Sequence, residues 1–150
     1  MTNKDQFDVN KIQYYHIRDI AFDYLIPEDV PLPEGRGETI QFNLNIVKTL
    51  GVDDKVVRLF ITVDLKTHGK DGKEATASYS TEHLFKVENI NALIKKVGDI
   101  FEVDNMLDNT ITGLAYSTVR GLLHQKFVGT WFSNFILPVT KPSDLESSNE

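Results

Sequence analysis

The residues best suited to acid–base or metal chemistry in this chain are four histidines, His16, His68, His83 and His124. No two of them stand four apart on a helical pattern, as a metalloprotease site requires. There is no cysteine, so thiolate catalysis, disulfides and cysteine-ligated metals are excluded. The run around Gly35, GRGE, does not join a strand to a helix as a phosphate loop does, and no G-x-S-x-G occurs. Asp53, Asp54 and Asp71 fall in turns, where aspartate serves the backbone. The chain is therefore not expected to be an enzyme or to hold a metal or cofactor.

What the sequence does offer is apolar surface. The longest helical pattern runs from Val103 to Lys126, with Val103, Leu107, Ile111, Leu114, Ala115, Val119, Leu122 and Leu123 at three-and-four spacing. Asp104 and Asp108 open it and Arg120, His124 and Lys126 close it, the order that suits the helix dipole. Gly113, Ser117 and Gly121 recur every fourth residue and form a smooth strip that another backbone could approach. Interior glycine costs about 1 kcal/mol relative to alanine. The strip is therefore read as a candidate oligomer interface. The aromatic run after the helix, Phe127 to Pro138, is expected to be extended or irregular.

Four strands should position these features. Phe7 to Tyr24 reads as a first strand whose broken alternation asks for a bulge. Leu25 to Glu38 carries Pro27, Pro31 and Pro33 and is a long, unusually apolar loop. Phe42, Leu44 and Ile46 alternate in strand two, and Val57, Leu59, Ile61, Val63 and Leu65 in strand three. After a hairpin loop at His68 to Lys73, Ala75, Ala77, Tyr79, Thr81, His83, Phe85 and Val87 share one parity in strand four. Asn91 to Val97 reads as a turn or two of helix stopped by Gly98. The fold class expected is α+β, a four-stranded antiparallel meander sheet with one long helix packed on one face.

The 150 residues fit one domain over 1–140, followed by an acidic, disordered tail over 141–150. Hydrophobic residues make up 41% and charged residues 25%, as in soluble globular proteins, and no apolar run is long enough to span a membrane. A net charge of −6 argues against nucleic acid as a partner. MTNKDQFDVN does not look like a secretory signal, so a cytoplasmic location is the expectation. One sheet and one helix leave apolar surface uncovered, which calls for self-association, a polypeptide partner or an apolar ligand. The candidate groove is formed by Phe22, Tyr24, Leu25, Ile26, Val30 and Leu32 with Phe127, Trp131 and Phe132.

Three stretches resemble the SecB family of protein-export chaperones and its SecB-like relatives. They are Arg18 to Asp23 before the proline-rich loop, Leu84 to Asn89, and Tyr116 to Leu123 with Gly129-Thr130 and Asn134 to Val139. Their order agrees over about Phe7 to Leu145. The resemblance implies binding of unfolded polypeptides in apolar grooves without ATP, and dimers joined through their helices to make a homo-dimer or tetramer. It implies delivery of preproteins to the SecA motor or, in SecB-like relatives, protection of antitoxins. Asp19 and Asp23 match acidic positions of the family's SecA contact. The matching carboxylate of strand four is replaced near Ser78, and the family's second C-terminal helix and basic tail have no counterpart, which argues against export through SecA. A small apolar-ligand module and a structural oligomeric adaptor are the alternatives.

Overall fold

The computed structural model describes residues 7–26, 40–68 and 72–146. A 3-10 turn, Val9–Lys11, precedes the first strand, with the Asp8 carboxylate accepting from the Asn10 N–H at 2.9 Å. The strand expected from Phe7 therefore begins at Ile12. Four strands form one antiparallel sheet: β1 (Ile12–Leu25), β2 (Gln41–Gly51), β3 (Val56–His68) and β4 (Glu74–Val87). The α+β class, the four-stranded antiparallel sheet and the single long helix agree with the sequence reading.

The strand order is β1-β4-β3-β2. Consecutive β2, β3 and β4 make the expected meander, and β1 adds to the far side of β4. The long β1–β2 connection permits this, because it can pass both intervening strands as in a Greek key. Residues 27–39 of that connection and 69–71 of the expected hairpin loop lie outside the described residues. β1 carries two bulges, where Tyr15 and Ile20 have no partner in β4, in keeping with its broken alternation.

Alternation in β3 and β4 sets the core. Val57, Leu59, Ile61, Val63 and Leu65 are buried on one face, opposite Phe85, His83, Thr81, Tyr79 and Ala77 of β4. Burial of each large side chain of this set contributes about 1.5–3 kcal/mol. The helix that covers them, α2 (Asn105–Lys126), follows a single turn α1 (Ile90–Leu93) and a small hairpin, β5 (Ile94–Val97) with β6 (Ile100–Val103). Of the one or two turns of helix expected at Asn91 to Val97, Asn91 to Leu93 are helical in α1, and the hairpin takes Ile94 to Val97. Gly98 takes φ +62° in the two-residue turn, and β-branched residues on each side favour the strand.

Val103 therefore pairs in β6, and α2 starts two residues later than expected. Asp104 caps it, accepting from the N–H groups of Met106 (2.9 Å) and Leu107 (3.3 Å). The buried face is Leu107, Ile111, Thr112, Ala115, Tyr116, Val119 and Leu123. Leu114, expected to be buried, is exposed on the outer side of the helix. Lys48 of β2 reaches Asp108 at 2.6 Å, and Lys126 reaches Asp19 of β1 at 2.9 Å, so each helix end is tied to an edge strand. Beyond α2 the chain crosses to β2, where the Phe135 and Phe42 rings lie 5.5 Å apart, and ends in a helical turn α3 (Pro142–Glu146). The disordered tail expected from residue 141 is thus corrected for 142–146: Leu145 is buried and anchors the segment. Residues 147–150 lie outside the described residues.

His83 is fully buried in the core, between the hydroxyls of Tyr14 (at Nδ1) and Thr81 (at Nε2, 2.7 Å). Burial pushes its pKa down from 6.5 to about 4, with Glu82 acting weakly the other way. The folded state holds His83 neutral while the unfolded chain takes a proton, so its contribution is complete above the ordinary value and drains away as pH falls toward about 4. Urea denaturation should show a loss of about 3 kcal/mol across that window, and His83→Gln should remove most of the slope. An unchanged slope in that variant would refute the assignment.

Candidate functional site

The aromatic run begins where α2 ends. Phe127 donates its N–H to the Leu123 carbonyl at 3.2 Å, and successive turns follow through Thr130. The Thr130 hydroxyl donates to the Phe127 carbonyl (2.7 Å) and accepts from the Phe132 N–H (3.1 Å). The Trp131 N–H donates to the Tyr24 hydroxyl at 3.1 Å, which ties the turn to β1. Ring centroids of Phe22 and Phe127 lie 5.4 Å apart, Tyr24 and Phe132 6.0 Å, and Phe127 and Phe132 5.6 Å.

This packing corrects the expected groove. Phe127, Trp131 and Phe132 are buried and belong to the core rather than to an open wall. The turn coils inward because Tyr24 supplies both an aromatic surface and a hydrogen-bond acceptor. Tyr24 itself is half-buried. Of the other groove residues, Phe22 is 42% exposed, Leu25 71%, and Ile26 is also exposed. Phe22 points to the helix side of the sheet, opposite Tyr79, whereas Leu25 pairs with Thr76 and faces the other side. Val30 and Leu32 lie outside the described residues.

Several exposed apolar side chains lie along β1. Tyr15, Ile17, Ile20 and Phe22 are exposed, with Ile26 beyond the strand and Val128 beside Phe127. Tyr15, Ile17, Ile20 and Val128 escaped the sequence reading. The signal was present in the broken alternation of β1, since a bulged edge strand leaves apolar residues of both parities uncovered.

Asp19 and Asp23, expected to act together, are on opposite faces. Asp19 pairs with Thr81 on the helix side and Asp23 with Ser78 on the open side, because the bulge at Ile20 reverses the parity between them. The Tyr79 hydroxyl donates to Asp19 at 2.6 Å, and Lys126 approaches its other oxygen. Those two contacts, the tyrosine first, hold the Asp19 carboxyl below its ordinary range. Burial, reinforced by Asp19, pushes the Tyr79 hydroxyl well above its own.

The strip on α2 is divided as well. A Cβ on Gly113 would lie 3.3 Å from Cγ of Pro142, so that glycine makes room for the chain's own α3. The Tyr116 hydroxyl donates to the Pro138 carbonyl (2.5 Å) and Arg120 Nε to the Leu137 carbonyl (2.7 Å), fixing residues 137–142 along this flank. Burial raises the Tyr116 pKa, with Arg120 opposing. Ser117 is exposed, and a side chain at Gly121 would meet open space.

An open cleft of about 600 Å³ sits on the sheet between the ends of β1 and β2, lined by Asp23, Gln41, Asn43, Asp64, Lys66 and Ser78 among others. Leu25, Phe42, Leu65 and Ala77 share that lining, so the cleft offers apolar surface beside its charged and amide groups. Among the described residues no group of three or more histidines and carboxylates could hold a metal ion, and no helix is long and apolar enough to cross a membrane.

No family model and no curated protein matches the chain. Among solved structures it is similar to the SecB-like chaperone Rv1957 of Mycobacterium tuberculosis, solved in complex with a ChAD peptide from the Rv1956 HigA1 antitoxin. The TM-score is 0.59 at 13% identity, over 88% of this chain and 92% of that one. At this identity the likeness is one of fold: the chain has a SecB-like fold.

The division between buried and exposed aromatics has a measurable consequence. Phe132→Ala should cost about 3–5 kcal/mol in urea denaturation, and Phe22→Ala markedly less. Equal losses would contradict the placement of the two rings.

Proposed function

We propose that this chain is an ATP-independent, chaperone-like protein that binds unfolded or extended polypeptides along the exposed apolar strip of β1. The strip carries the reading. Ile17, Ile20, Phe22, Ile26 and Val128 stay uncovered beside a well-packed aromatic core. Exposed apolar surface of this extent in a folded domain marks an interaction site. The SecB-like fold, shared with a chaperone that binds an antitoxin peptide, supports a polypeptide as the occupant. Phe127, Trp131 and Phe132 act beneath the strip, holding Phe22 and Tyr24 in place.

Protection of an antitoxin-type client suits the geometry better than export. A SecA-like motor gripping Asp19 and Asp23 together would need them on one face, and they point to opposite faces. Asp19 is also engaged by Tyr79 and Lys126. The outer face of α2, with Leu114, Ser117 and Gly121 exposed, is proposed as the contact between copies in a homo-dimer or tetramer, and the cytoplasm as its location.

A refolding client that aggregates on its own should be kept soluble by equimolar protein, and Ile20→Asp with Val128→Asp should abolish that protection without unfolding the chain. Full protection by the double variant would sink the strip as the client site. Gly121→Leu should dissociate the assembly on light scattering while the chain stays folded by circular dichroism, because the position has free space within the monomer. An intact assembly in that variant would remove α2 from the contact.

A further inference from the structure

The face of the sheet turned away from α2 is charged in an ordered way. Arg18 of β1 lies opposite Glu82 of β4, and Arg58 reaches the same carboxylate from β3. Arg18 Nη2 is 2.7 Å from Glu82 and Arg58 Nε 3.7 Å, while the side chains are 58%, 10% and 46% exposed for Arg18, Glu82 and Arg58. One nearly buried carboxylate thus holds the Arg18 guanidinium by a hydrogen bond and lies within ion-pair range of Arg58, and the three groups together carry a net positive charge. Exposed His16 and Lys86 share this end of the face, with the Lys86 ammonium 3.9 Å above the centre of the Tyr15 ring. Fixed guanidinium forks match carboxylates in two-point contacts.

The charge reverses along the same strands. Beyond an uncharged row in which Thr62 and Ser80 hydrogen-bond at 2.9 Å, Asp23 and Asp64 flank Ser78, which donates to Asp64 at 2.7 Å. Ser78 lies four positions before Glu82 on β4, about 13 Å away at strand spacing. The open cleft lies at this acidic end.

We propose that the helix-free face of the sheet docks a segment of another polypeptide that is acidic at one end and basic at the other, with its carboxylates on Arg18 and Arg58 and its basic side chains about 13 Å further on beside Asp23 and Asp64. Charge complementarity selects the occupant. A nucleic acid backbone laid along the strands would meet Asp23 and Asp64 after leaving the arginines, in a chain already at −6. A polypeptide can change sign over that distance. The site is on the opposite side of the sheet from Phe22 and is independent of client binding there.

Fluorescence anisotropy with a labelled peptide, two glutamates at one end and two lysines at the other, tests the proposal. The joint variant Arg18→Gln, Glu82→Gln, Arg58→Gln removes the charges without stranding a buried carboxylate, and its thermal melt reports folding. Binding should weaken at least about tenfold in that variant and weaken for wild type as salt rises. Arg18→Lys with Arg58→Lys, which keeps the charge and loses the fork, should fall between the two. Aggregation suppression should stay unchanged in all variants. Equal peptide binding by wild type and the joint variant, or none by wild type, overturns the proposal. So does tighter binding of a single-stranded oligonucleotide, or salt-sensitive self-association of the wild type that the joint variant loses.

Discussion

One helix has to cover one face of a four-stranded sheet, and it is too narrow to do so. Three gaps between strands span about 14 Å, and the strands run to 14 residues, while a helix with its side chains is roughly 10 Å across. The rest of the structure answers this mismatch. α2 lies over β3 and β4, whose inward residues are fully buried, and its ends are tied outward to β2 through Lys48–Asp108 and to β1 through Lys126–Asp19. The returning chain meets β2 through Phe135 and Phe42. Along β1, the aromatic turn at residues 127–132 covers one end, and Ile17 and Phe22 stay half open. The proposed client strip is what remains of the inner face after one helix and one returning segment have been laid down.

Polar contacts hold this arrangement where apolar packing alone would let the helix slide. Tyr79, Asp19 and Lys126 join β4, β1 and the C-terminal end of α2 in one chain of contacts. On the same face, His83 sits between the hydroxyls of β1 and β4 with no charge to offset a proton. Arg120 and Tyr116 use backbone carbonyls of residues 137 and 138 to set the returning segment against the helix. Among the described residues the segment after the helix ends in one short helical turn, α3.

Period-two alternation made the inward residues of β3 and β4 legible, down to Thr81 and His83. It says which face a residue takes and nothing about which strand lies beside it, so the place of β1 next to β4 could not be read. Asn91 to Leu93 took the helical turn expected of them, but Ile94 to Val97 misled because their apolar spacing continues that turn, while Gly98-Asp99 between β-branched residues was the hairpin signal. Phe127, Trp131 and Phe132 were identified as important but misplaced. Composition cannot separate an aromatic turn that coils inward from one that lines a groove, and the deciding contact, Tyr24 with the Trp131 N–H, joins residues far apart in the chain. Asp19 and Asp23 were paired through the family resemblance, and a single bulged residue, Ile20, puts them on opposite faces.

The two bulges in β1 have a further effect. A protein that displays apolar side chains along the rim of a sheet risks becoming the seed of its own fibril, since a flat rim offers backbone groups in register for copy after copy. Tyr15 and Ile20 each break that register, so the rim comes in short, kinked lengths that no second β1 can follow end to end. The bulges that leave apolar side chains of both parities uncovered thereby limit how far stickiness can propagate.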